Sequence, residues 1–131
     1  MQVTRTILIV DDSARMRDAI VRCCTRPEDT IIEASNGREA VEHFLRHQPD
    51  WTIMDVQMPQ MNGFTATREI LRQFSAARVI ILTQHDSPDY REEARAAGAC
   101  AFVSKDELSR LSLILQPNAS QTGGNPQSIN P

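Results

Sequence analysis

The chain has 131 residues, 40% hydrophobic and 24% charged, with 14 basic against 17 acidic side chains and a net charge of −3. Against a prior of roughly 150 residues per domain this is one domain, large enough to bury about two-thirds of its unfolded surface without disulfides or a structural metal. A mildly acidic chain with no basic run is a poor electrostatic partner for nucleic acid or an anionic membrane. The apolar stretch at residues 7–10 is too short for a bilayer span or a secretory signal, so the expected compartment is the cytoplasm.

In chain order, Ile7-Leu8-Ile9-Val10 is a continuous apolar block. Asp11-Asp12-Ser13 and a helical stretch to about Thr25 follow, with Met16, Ala19, Ile20 and Cys23 at the spacing of one face. Residues 30–34 read as a second strand. Asn36 and Glu39 form a capping box, with Ala40, Val41, Phe44 and Leu45 at helical spacing behind it. A third strand at 51–54 ends at Asp55. Asn62-Gly63 then opens a helix carrying Phe64, Thr67, Ile70, Leu71 and Phe74. The most apolar strand, 79–82, ends at Thr83. Asp86 or Ser87 caps the next helix, with Pro88 in its first turn and Gly98 as its stop. Residues 100–103 are a fifth strand, and Asp106 is placed to cap a last short helix with Leu108, Leu111 and Leu115 inward.

Five strand–helix alternations with unbroken apolar strands predict an α/β fold: a single doubly wound (βα)5 domain over residues 4–115 with a five-stranded parallel sheet. Residues 116–131 contain no Asp, Glu, Lys or Arg and are rich in Pro, Gly, Ser, Asn and Gln, so they are expected to be a disordered tail or linker. The Asn118-Ala119-Ser120 sequon, without a secretory signal, and the internal Lys105-Asp106-Glu107-Leu108 string carry no targeting meaning. Cys23, Cys24 and Cys100 lack metal-site spacing and are expected as small buried or half-buried apolar residues in a reducing compartment.

In a parallel sheet, chemistry collects outside the carboxyl ends of the strands. Asp11 and Asp12 follow strand one, Asp55 ends strand three, Thr83 ends strand four and Lys105 follows strand five. Three carboxylates in one crevice repel one another until a proton or a cation relieves them. Oxygen-only ligands suit a hard ion, Mg²⁺ first. A divalent cation, an ammonium and a hydroxyl around a carboxylate are what a transferring phosphoryl group needs, with the carboxylate as nucleophile.

The set Asp11-Asp12, Asp55-Val56-Gln57-Met58-Pro59-Gln60-Met61-Asn62-Gly63, Thr83 and Phe102-Val103-Ser104-Lys105 resembles the receiver domains of bacterial two-component response regulators. Successive intervals of 43 residues from Asp12 to Asp55, 28 from Asp55 to Thr83 and 22 from Thr83 to Lys105 fit that family. The resemblance implies a flavodoxin-like fold and phosphorylation of Asp55 by a histidine kinase or phosphotransfer protein. It implies Mg²⁺ held by Asp12, Asp55 and the Gln57 carbonyl, with Asp11 acting through a bound water. It further implies phosphate contacts from Lys105 and Thr83 and an aromatic switch at Phe102. The output is then a protein target or a self-dimer met through the fourth helix, fifth strand and fifth helix. On this reading the chain is a phosphoacceptor switch rather than an enzyme, with no nucleic acid bound by this domain.

Two departures stand out. Asp106 replaces the proline that usually follows the lysine with a cis peptide, and a cis bond before a non-proline residue costs roughly 2.5–4 kcal/mol. Gln84, with His85 after it, replaces the commonly small residue beside Thr83, and Gln57, Gln84 and His85 are therefore candidates for setting the phosphate's lifetime. The alternatives are a phosphorylation-independent scaffold, a receiver cut from a longer DNA-binding regulator, and a hydrolase with an aspartyl nucleophile. The last is disfavoured because Asp11 and Asp12 are adjacent rather than two apart.

Overall fold

Four of the five apolar runs become strands buried on both faces, while the edge strand at 30–34 leaves Thr30 and Glu33 exposed. In the computed structural model, which describes residues 4–116, the elements are β1 (Thr6–Val10), α1 (Ala14–Cys24), β2 (Thr30–Ala34), α2 (Gly37–His47), β3 (Trp51–Met54), α3 (Gly63–Gln73), β4 (Val79–Thr83), α4 (Pro88–Ala97), β5 (Ala101–Ser104) and α5 (Leu108–Leu115). A 3-10 turn at Lys105–Glu107 precedes α5. The tail beyond residue 116, including the Asn118 sequon, lies outside the described residues. No described helix is long and apolar enough to cross a membrane.

The sheet order is β2-β1-β3-β4-β5, all pairs parallel. Alternate side chains split the core in two. Leu8, Val10, Met54, Val79 and Ile81 face α2, α3 and α4 with Phe44, Phe64 and Ile70. Ile7, Ile9, Ile53, Ile80 and Leu82 face α1 and α5 with Ile20, Cys24, Leu111 and Leu115. This is the predicted doubly wound fold, and the order reverses between β1 and β3, which creates the crevice where such folds bind ligands.

Several local expectations are corrected. The inward cysteine of α1 is Cys24, one turn beyond Ile20, with its thiol against the Leu108 carbonyl at 3.6 Å. Cys23 and Cys100 are exposed rather than buried. On α2, Phe44 is in the core and Leu45 is 40% exposed, since adjacent helical residues lie about 100° apart. Of the two caps the sequence allowed for α4, Ser87 is the one used, and Asp86 forms a two-pronged pair with Arg91. Asp106 does not cap α5: Ser104 caps the 3-10 turn by accepting from Asp106 N, and α5 has no side-chain cap. Every described peptide bond is trans, Lys105–Asp106 included.

One long-range clasp ties the far edge of the fold. The Asp29 carboxylate is fully buried; it accepts Arg5 Nε at 2.9 Å and the Arg26 main-chain N at 2.8 Å, while Arg5 Nη1 reaches the Leu115 carbonyl. Burial opposes ionisation of Asp29, but the Arg5 bonds and charge outweigh it and hold its pKa below the usual carboxylate value. Removing one partner of a buried pair strands the other charge, so Arg5→Ala is expected to destabilise by about 2–3 kcal/mol, read by thermal melting at pH 7. A loss below about 0.5 kcal/mol, the level of an ordinary surface change, would show that the clasp is ornamental.

Candidate functional site

Register places the acidic residues. Val10 pairs with Met54, so β1 and β3 leave the sheet together. Asp55 N then donates to the Val10 carbonyl at 2.9 Å, and Asp11 N donates to the Ala34 carbonyl at 3.1 Å. Asp11 and Asp55 are 1% and 5% exposed, while Asp12 stands at the open mouth. Carboxylate oxygens of all three lie within 4.8 Å of one another. The crevice around them holds about 270 Å³ and is lined also by Gln57, Thr83, Gln84, His85 and Lys105.

Local chain chemistry fixes these carboxylates. Ser13 caps α1 through its side chain and donates its own main-chain N to Asp11 Oδ1 at 2.9 Å. Arg17, one turn along α1, donates to the Asp11 carbonyl at 2.6 Å. Asp55 Oδ1 accepts from Val56 N at 2.8 Å. Gly63, the first residue of α3, lies flat against the Asp55 main chain, where a Cβ would fall 1.9 Å from the Asp55 carbonyl oxygen.

Lys105 is the counter-charge. Its Nζ lies 2.8 Å from Asp11 Oδ2 and 3.3 Å from Asp55 Oδ2. Burial works against the ammonium, but the Asp11 hydrogen bond and the Asp55 charge outweigh it and raise its pKa. One ammonium does not neutralise three carboxylates. Burial first, and the neighbouring Asp11 charge second, push Asp55 up to about 6. An all-oxygen cluster in which burial and the Asp11 charge oppose ionisation of Asp55 is a fitting seat for a hard divalent cation.

All the sequence-predicted residues reach this edge, but not all touch the carboxylates. Thr83 is buried on the crevice wall, its Oγ1 accepting from the His85 main-chain N at 3.2 Å. Gln84 is exposed on the lining. His85 Nε2 and Gln57 Oε1 meet at 3.1 Å across the mouth. Phe102, 9% exposed, lies on β5 outside the crevice lining, with the Arg91 guanidinium 4.9 Å from its ring centre and its carbonyl accepting from Arg110 at 3.0 Å.

Three supporting residues escape a sequence reading: Ser13 as the backbone donor to Asp11, Arg17 as the clamp on its carbonyl, and Tyr90. The run 90–95 reads as a solvated polar face, yet Tyr90 is half-buried, stacked edge-on to Phe64 at 5.3 Å and bonded to Gln57. Pro88 at the helix start and Ser87 as its cap fix where Tyr90 falls, but no local pattern names its partner.

Comparison with known proteins agrees with this geometry. The response regulator receiver domain family matches residues 7–116. The chain is 39% identical over 100 residues to the chemotaxis protein CheY of Bacillus subtilis, covering 76% of this chain and 83% of that protein. It is 30% identical over 102 residues to the transcriptional regulatory protein DegU of Brevibacillus brevis, of which it spans only 43%. Among solved structures, a chain of the CheX–CheY–BeF3–Mg²⁺ complex from Borrelia burgdorferi superimposes with a TM-score of 0.75 at 26% identity, covering 86% of this chain and 90% of that one. With an acidic triad and a lysine at the switch point of a (βα)5 sheet, and a family match along nearly its whole described length, the chain belongs to the response regulator receiver domains.

Proposed function

We propose that this receiver domain accepts a phosphoryl group on Asp55 from a phosphohistidine of a partner kinase or phosphotransfer protein, and that the added charge switches a protein-binding face. The observation that carries this reading is the convergence of the Asp11, Asp12 and Asp55 carboxylates with the Lys105 ammonium in one crevice. The Borrelia burgdorferi complex holds BeF3 and Mg²⁺, a mimic of a phosphoryl group with its counter-ion, and supports the same reading here.

Asp12, Asp55 and the Gln57 main-chain carbonyl would hold Mg²⁺, with Asp11 acting through water. When bound, the ion neutralises charge on the incoming phosphoryl oxygens. An Asp55 carboxylate oxygen attacks phosphorus, the P–N bond to the donor imidazole breaks, and the imidazole leaves with that electron pair and gains a proton. Asp55 thereby becomes an acyl phosphate. Lys105, already within 3.3 Å of Asp55 Oδ2, pairs with a phosphate oxygen. Thr83 swings in to donate its hydroxyl to another, and Phe102 follows into the space this opens. The face that changes is α4, β5 and α5, which meets a target or a second copy. Gln57, Gln84 and His85 flank the approach of hydrolytic water and set how long the acyl phosphate lasts. The chain is in this reading an acceptor with slow self-hydrolysis, not a turnover enzyme. Because it spans 43% of DegU, control of an attached transcriptional output is a second reading for the whole protein.

Intact mass after incubation with Mg²⁺ and acetyl phosphate is the test. One added phosphoryl group is expected, lost on chelation of the metal and absent in Asp55→Ala. No adduct from acetyl phosphate or from phosphoramidate would favour a phosphorylation-independent scaffold.

A further inference from the structure

Gln57 has both ends of its side-chain amide engaged. Its Oε1 meets His85 Nε2 at 3.1 Å, and its Nε2 donates to the Tyr90 hydroxyl at 3.3 Å. The His85 and Tyr90 rings stand 5.4 Å apart, and Tyr90 rests edge-on against Phe64 of α3. The result is a side-chain bar from the loop after Asp55 to the first turn of α4, across the mouth of the acidic crevice. On its other side lies a cleft of about 610 Å³, lined by Val56, Gln57, Met58, Phe64 and Tyr90 among others. Gln57 therefore lines both spaces, and the larger one has room to receive its side chain.

We propose that Tyr90 is a positioning residue which, through its hydroxyl, holds Gln57 over Asp55 and thereby lengthens the life of the acyl phosphate. This rests on the reading of Asp55 as phosphoacceptor. Hydrolysis needs a water oxygen to attack phosphorus while the P–O bond to the Asp55 carboxyl breaks, returning the carboxylate and releasing inorganic phosphate with a proton to solvent. A Gln57 amide bonded at both ends neither orients that water nor leaves its path open. Without the Tyr90 hydroxyl, Gln57 swings into the neighbouring cleft and the mouth opens. The Tyr90 ring stays on Phe64, so the fold does not change with it.

The experiment loads the full chain with acetyl phosphate and Mg²⁺, removes the donor, and follows loss of the acyl phosphate by intact mass. Tyr90→Phe is expected to hydrolyse about 3- to 10-fold faster, the rate equivalent of one net hydrogen bond, with an unchanged melting temperature. Gln57→Ala is expected to accelerate hydrolysis to a similar degree, and Tyr90→Phe added to it to do nothing further, because both remove one device. A Tyr90→Phe lifetime equal to wild type, or accelerations that multiply in the double variant, overturns the proposal while leaving the phosphoacceptor reading intact. A wild-type chain that takes up no label overturns that reading, and this one with it.

Discussion

Gly63→Ala is expected to lower the melting temperature by about 10–20 °C, corresponding to about 3–5 kcal/mol in a domain of this size. Helix propensity alone forecasts the opposite sign, since glycine inside a helix is worse than alanine by roughly 0.5–1 kcal/mol. The contact decides. The new Cβ would lie 1.9 Å from the Asp55 carbonyl oxygen, 2.8 Å from its carbon and 2.9 Å from Met54 Cγ. The first two are backbone, so no rotamer change relieves them. Either α3 moves off the sheet, breaking the 2.9 Å bond from Gly63 N to the Val56 carbonyl, or the Asp55 main chain moves and takes the carboxylate with it. Variants that remain folded are therefore also expected to label poorly with acetyl phosphate. Thermal melting with Gly63→Ala beside Thr65→Ala, an exposed control on the same helix, checks this. An equal or higher melting temperature for Gly63→Ala would mean that the close approach is not a constraint.

Asp55→Asn is expected to abolish phosphorylation and, in the absence of divalent cations, to stabilise the fold at pH 7.5. Asp55 is raised from 3.8 to about 6, first by burial and then by the Asp11 charge. Between these values the folded chain holds a proton that the unfolded chain has released, so stability falls as pH rises through this window. Above about 6 the full penalty of the buried charge is present; below about 4 it is gone. The interval corresponds to at most about 3 kcal/mol, and water at the open mouth screens it to about 1–2 kcal/mol. Asparagine keeps the acceptor for Val56 N and removes the charge, and Lys105 retains Asp11 at 2.8 Å. The stabilisation should shrink towards zero as pH is lowered to 4. Mg²⁺ should stabilise wild type at pH 7.5 and Asp55→Asn much less, because a ligand that binds only the native state adds its binding free energy to folding. Urea denaturation at pH 4, 6 and 7.5, with EDTA or Mg²⁺, resolves all of this. A pH-independent difference, or equal Mg²⁺ stabilisation of both proteins, would remove the electrostatic account.

How much was legible without coordinates differs by element. The strands and most helix starts could be read because their signals are local. Apolar blocks mark doubly covered strands, and Asn36, Asn62 and Ser87 accept from the main-chain N of residues 39, 65 and 90 as their positions predict. The end of β5 could not, because Ser104 and Asp106 are both competent caps and the tighter 3-10 turn that aims Lys105 at the carboxylates decided between them. Cys23 and Cys24 differ by one helical step, and only packing against Leu108 shows which is inside.

The fold class, and the fall of five chemically loaded residues at one edge of one sheet, could be read from the residues in order, because apolar strands, helix caps and element order are local signals. The tertiary structure decided what those residues do to each other. Lys105 bridges Asp11 and Asp55 while Asp12 stays in water, Thr83 bonds back to its own loop, and Tyr90 on the polar α4 accepts from Gln57. The Lys105 and Tyr90 contacts join residues 33 to 94 positions apart in the chain. Such contacts depend on distances of a few tenths of an ångström and on competition among partners, which no spacing along a sequence encodes.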